Sequence, residues 1–168
     1  MRSTIKIVIL LFFICTSMSG ASFPDMEKYM RQHALIWEQL PMQWNEGAFL
    51  GNGLVGMMVY ADSTLNALVF HLGRPDVTDH RKAPYRKTSI GTEEADKMVD
   101  FCRLDVGKML LFPEGKILSG TFYLDIYNAE LTGHLKTDKG DLTFHAYTPQ
   151  PEEVNIVEVS SGVPYLWK

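Results

Sequence analysis

Residues 74 to 80 read Arg-Pro-Asp-Val-Thr-Asp-His, so a guanidinium, two carboxylates and an imidazole fall within one short stretch. Such groups hydrogen-bond the hydroxyls of a sugar, and their charge strengthens each bond. Arg74, Asp76, Asp79 and His80 are therefore the substrate-binding candidates of this chain, with a polyhydroxylated ligand in view. The same residues also have a purely structural reading. Arg74 pairs with Asp76 or Asp79 at the surface and fixes the turn, an interaction of small energetic weight in water. A metal reading takes His71, Asp76, Asp79 and His80. Their types suit zinc, but their spacing follows no compact ligand pattern, and a histidine within a strand is ordinarily satisfied there. No metal and no cofactor is expected.

Other reactive patterns are not found. The sequence holds no phosphate-cradling glycine loop, no Gly-x-Ser-x-Gly elbow and no His-Glu-x-x-His. Glu93 and Glu94 are adjacent on a predicted helix, where their side chains point apart and helix-terminus electrostatics account for both. Trp37 and Trp44 offer flat apolar surface to a sugar face. Their place beside an apolar hairpin predicts core packing for both instead. Asn52, inside Gly51-Asn52-Gly53, tolerates the left-handed backbone of a tight turn. No catalytic residue is assigned.

The elements that must position these groups are mostly strands. Gly53 to Tyr60 is a nearly continuous apolar run, as suits a strand buried on both faces, and Leu65 to Leu72 returns beside it after Asp62-Ser63. Ahead of them, Asp25 caps a short helix and Leu35 to Trp37 forms a short strand. Gly73 to Ile90 is a long polar loop, of the kind that is either functional or flexible. Thr92-Glu93-Glu94 then caps a second helix, with Ala95, Met98, Val99 and Cys102 on one face.

From Met109 the pattern is β. Leu110 and Phe112 run to a Pro113-Glu114-Gly115 turn, Phe122, Leu124 and Ile126 alternate with polar positions, and 131–135, 142–147 and 154–159 supply further strands. Short strands at regular spacing predict an all-β fold, a mainly antiparallel sandwich of supersandwich-like kind with one or two short helices. Val163 to Lys168 is apolar and has no evident partner. That predicts a sandwich lacking later strands, with exposed edges.

The ends and the composition narrow the function classes. Arg2 and Lys6, an apolar run from Ile7 to Ile14 and small polar residues to Ser22 make residues 1–21 a signal peptide, cleaved near Ala21. The run is too short for a membrane-crossing helix, which needs about 20 residues. A secreted or periplasmic protein is expected, with no membrane association after cleavage. Residues 22–168 suffice for one domain. A net charge of -4 disfavours a nucleic-acid surface. Cys102 is the one thiol left after cleavage, so no internal disulfide forms, and a buried structural cysteine is expected.

One segment carries a family resemblance. Trp37, Pro41, Trp44, Glu46 and Gly51-Asn52-Gly53, followed by Val55-Gly56-Met57-Met58-Val59, resemble the opening of the N-terminal β-sandwich domain of glycoside hydrolases like family 95. Tyr123 to Glu130, Lys139-Gly140, Thr143 to Thr148 and Val154 to Val159 are similar to paired strands of that domain. The likeness spans most of residues 22–168, with a gap around Arg74 to Val106. Phe49 stands where the family usually has a proline. His71 to Val77 stands where it commonly has Asn-Glu-Asp-Thr-Leu-Trp, so the resemblance implies a divergent branch with another sugar preference. It also implies that the hydrolytic carboxylates lie in a downstream α/α barrel, before which this sequence stops. The implied partners are a glycan, such as one bearing fucose or galactose, and that missing barrel. The implied role is to shape a sugar subsite with the loop of Arg74, Asp76, Asp79 and His80. The alternative is a non-catalytic carbohydrate-binding or scaffolding module.

Overall fold

Alternation of apolar and polar residues is the physical reason for the second half of the fold. In Thr121-Phe122-Tyr123-Leu124 every second side chain is buried, as a strand with one face on a core requires. The computed structural model describes residues 25–78 and 103–168. Within them a helix, α1 (Met26–Arg31), precedes the strands β1 (Leu35–Trp37), β2 (Ala48–Gly51), β3 (Gly56–Asp62), β4 (Ala67–Gly73) and β5 (Gly107–Pro113). There follow β6 (Ile117–Asp125), β7 (Glu130–Thr137), β8 (Asp141–Tyr147), β9 (Ile156–Ser161) and β10 (Tyr165–Trp167). They form two five-stranded antiparallel sheets, ordered β1-β6-β7-β8-β9 and β10-β5-β4-β3-β2. The fold is the all-β sandwich expected from the sequence.

The core lies between the sheets and is built around three phenylalanines. Phe70 of one sheet meets Phe144 of the other edge-on at 5.5 Å, and Phe122 meets Phe144 in the same manner at 5.4 Å. Edge-to-face contacts of this kind add to the gain from burial alone. Gly133 lies in register between Phe122 and Phe144. A Cβ built there would strike the Phe144 ring, so the missing side chain is what lets the ring lie across β7. Leu68, Leu111, Leu131, Leu135 and Leu142 close the core around them, all fully buried.

Several expectations need correction. Val163 to Lys168 does have a partner: β10 pairs with β5, Leu166 opposite Phe112, and the Trp167 ring lies 5.6 Å from Phe70. The chain reaches that position by crossing from one sheet to the other after β9, a non-local step that leaves no local pattern. Trp44 is not a core residue. It sits on a 3-10 turn (Trp44–Glu46) outside the sheets and is 63% exposed. Trp37 is half-buried against the core, and its indole N–H donates to the Glu46 carbonyl at 2.9 Å. β3 starts at Gly56 because the Asn52 side chain takes the N–H groups of Leu54 and Val55 into a turn. The signal peptide, the second helix, Cys102, Asp79 and His80 lie outside the described residues.

The two ends of the sandwich differ. At one end short turns, 63–66, 114–116, 138–140 and 162–164, are bonded to each other. Asn66 donates to the Gly115 carbonyl and accepts from Ile117, both at 2.8 Å, while Asp138 accepts from Lys116 N–H at 2.8 Å. The other end carries the short 52–55 and 126–129 turns together with two longer connections, the link from β4 to β5 and the 148–155 loop.

Candidate functional site

Arg74 and Asp76 stand at the long-loop end, where the chain leaves β4. Arg74 forks onto Asp76, with Nε to Oδ1 at 2.7 Å and Nη2 to Oδ2 at 3.1 Å. Its Nη1 donates to Glu153 of the 148–155 loop. The structural reading of Arg74 and Asp76 is thus realised, and it extends to a third residue. The bidentate hydrogen bond from Arg74 holds the Asp76 carboxyl below its ordinary range. The bonds from Asp76 and Glu153 in turn raise the Arg74 guanidinium above its ordinary value.

His71 is satisfied within its strand. Its Nε2 lies 2.8 Å from Asp105 Oδ1, and that hydrogen bond holds the Asp105 carboxyl below its ordinary range. Asp105 also accepts from Gly107 N–H at 3.0 Å. The structure therefore brings Arg74 and Asp76 together and directs His71 to a different carboxylate.

Asn52 stitches the 52–55 turn to the 148–155 loop, and Arg74 ties the start of the β4–β5 link to the same loop through Glu153. Asn52 Oδ1 accepts from the N–H groups of Leu54 and Val55, each at 3.0 Å, which folds the turn locally. Its Nδ2 donates to the carbonyls of Pro149 at 2.9 Å and Glu152 at 2.7 Å. Gln150 Nε2 returns a bond to the Asn52 carbonyl at 2.6 Å. Sequence reasoning gave Asn52 a left-handed turn role, but the left-handed residue is Gly53, with φ of 89°. Asn52 and Glu153 are the members that sequence reasoning missed. Asn52 lies 97 and 100 positions from Pro149 and Glu152, Glu153 lies 79 from Arg74, and no local signal reports such pairing. The only hint was compositional: an asparagine between glycines, and a polar Pro-Gln-Pro-Glu-Glu loop.

A cavity of about 380 Å³ opens beside this network, lined by Gly53, Val55, Gly56, Gly73, Arg74, Pro75, Arg103 and Leu104. Its far wall is held by a bridge between Thr78 and Arg103 and by Leu104 N–H on the Val77 carbonyl at 3.0 Å. Glycine backbone, short apolar side chains and guanidiniums offer hydrogen bonding without bulk. Asp76 does not suit proton donation, because a general acid needs a raised pKa and this carboxyl is held ionised. The site can therefore bind and orient a polar ligand, but these groups do not supply a hydrolytic pair.

No protein-family model matches the chain, and no curated protein matches it either.

Proposed function

We propose that this chain is the sandwich portion of a secreted glycoside hydrolase resembling family 95, and that its loop end contributes a subsite for a complex glycan. In this reading the bond-breaking carboxylates belong to a barrel outside the sequence, and the residues here only bind. The observation that carries it is the asymmetry of the two ends. One end is closed by short, mutually bonded turns, while two longer connections converge at the other beside an open cavity lined by glycines, apolar side chains and two arginines. Rigid sheets presenting binding loops at one end are a recurring division of roles in β-sandwiches. The Gly-Asn-Gly turn that carries the resemblance lies at the centre of that loop network.

The test is amide chemical-shift mapping of the whole chain with neutral fucosylated and galactosylated oligosaccharides, alongside assays on aryl glycosides. Shifts confined to 52–56, 73–77, 103–104 and 149–155, with no turnover, support the reading. Turnover by this chain alone overturns the division between binding loops and a separate catalytic barrel. Shifts located elsewhere, or none, overturn the subsite.

A further inference from the structure

The charge on the walls of the cavity narrows the class of sugar. Among the described residues its lining carries two guanidiniums, Arg74 and Arg103, and no carboxylate. Arg74 is engaged by Asp76 and Glu153, which are bonded to it and stand outside the lining. Arg103 is exposed, and among the described residues no carboxylate pairs with it. The cavity thus has one cation held in place by a network and a second with its fork unengaged. A guanidinium fork matches the two oxygens of a carboxylate, and a charge-assisted pair of this kind is stronger than a neutral hydrogen bond.

The remaining wall suits a flat ring. Gly53, Gly56 and Gly73 present bare backbone. At Gly53 a Cβ would meet nothing within 4 Å, and at Gly73 it would meet only the Gly56 carbonyl, at 4.0 Å. Backbone exposed in this way lets a pyranose approach to van der Waals distance. The volume of about 380 Å³ lies in the lower part of the usual small-molecule range, about 300–1,000 Å³. The Asn52 and Arg74 networks hold the lining loops in place before any ligand arrives, which reduces the ordering a ligand must impose.

We infer that the cavity takes an acidic sugar, a uronic acid residue of a glycan, with its carboxylate on Arg103 and its ring against the glycine wall. This rests on the glycan reading above and names the substrate class of the same site. Asp76 and Glu153 are the acidic side chains bonded to Arg74, and neither is among the lining residues. Added salt weakens such a contact, because Arg103 is exposed.

The experiment is calorimetric titration of the whole chain with trigalacturonic acid and with its neutral counterpart galactotriose, repeated for Arg103→Gln and Gly73→Leu. The acidic trisaccharide is expected to bind at least tenfold more tightly than the neutral one. Arg103→Gln brings the two to the same affinity, and Gly73→Leu weakens both by filling the cavity. Thermal melts establish that each variant folds, and the acidic-to-neutral ratio of the unaltered chain needs no variant at all. If galactotriose binds as well as the acid, or Arg103→Gln keeps the preference, the acidic class is wrong while the glycan site stands. If neither sugar binds, both readings fall together.

Discussion

Asp125 offers the sharpest test of how the sandwich is held, because one carboxylate closes the β6–β7 turn and also anchors the helix. It is 7% exposed. Its Oδ1 accepts from Tyr127 N–H at 2.9 Å and Asn128 N–H at 3.2 Å, and its Oδ2 accepts from Asn128 Nδ2 at 3.0 Å and Arg31 Nη1 at 3.1 Å. Burial alone would push this carboxyl up. The Asn128 and Tyr127 donors, with Arg31, outweigh it, and the group is held below its ordinary range. Asp125→Ala removes the acceptor from all four donors at once. Hydrogen bonds to a charged group are worth about 1.5–3 kcal/mol each, but these are coupled and water reaches some of the donors, so a loss of about 2–4 kcal/mol follows. That is a large part of the roughly 5–15 kcal/mol by which a domain of this kind is stable.

Asp125→Asn separates the turn from the charge. Its Oδ1 still accepts from Tyr127 and Asn128, Asn128 turns its amide to meet the new NH2, and exposed Arg31 swings into water. Most of the loss is therefore spared. Urea unfolding at pH 7 measures both variants, with midpoints compared at unchanged slope. The pH dependence has a fixed sign. A carboxyl whose folded pKa is depressed stabilises the fold above the unfolded aspartate value, and that contribution disappears as pH falls through the folded value. The gap between wild type and Asp125→Asn should therefore narrow in acid. An Asp125→Ala loss below about 1 kcal/mol, or an Asp125→Asn loss equal to it, refutes the reasoning.

Two further outcomes follow from contacts in the core and the loops. Gly133→Ala forces a methyl into the Phe144 ring and should destabilise by about 1–3 kcal/mol in urea unfolding, with Phe144→Leu in the same chain restoring part of the loss. If Gly133→Ala is neutral alone, the ring does not depend on that missing side chain. Asn52→Ala removes the bonds to Pro149 and Glu152. It should lower stability by about 1–3 kcal/mol and speed amide exchange in 149–155, whereas unchanged exchange there would mean that the loop holds itself.

Much of the framework was legible because strand periodicity is local. The alternation at Phe122 and Leu124 and the apolar runs at 131–135 and 142–147 gave three strands, which the structure places side by side in one sheet. Asp25 gave the helix start, where its side chain accepts from Lys28 N–H at 3.2 Å. What failed was non-local. Trp44 looked like core because it sits among apolar neighbours, yet the chain at that point is a 3-10 turn between sheets. Residues 163–168 looked unpartnered because β5 is some fifty positions earlier and is reached only after the chain changes sheets. Of the site, Arg74 with Asp76 was readable from proximity in sequence. Glu153 and the stitching by Asn52 were not, since each requires loops to meet that only the two-sheet topology brings together.

The same topology is why the proposed binding site is placed at one end rather than on the sheets. The short-turn end has bonded its polar groups to itself: Thr137 Oγ1 donates to Gly140 at 2.7 Å and accepts from Lys139, and Asn66 and Asp138 are likewise occupied. A ligand there would have to break those bonds before making its own. At the long-loop end the bonds hold one loop to another and leave a space between them, so a ligand meets groups already in position. The aromatic core lies between the two sheets, where Phe70, Phe122 and Phe144 of β4, β6 and β8 pack on one another. Substitutions around Arg74 and Arg103 should therefore alter what is bound without unfolding the sandwich, while substitutions at Gly133 or Asp125 should act on stability first.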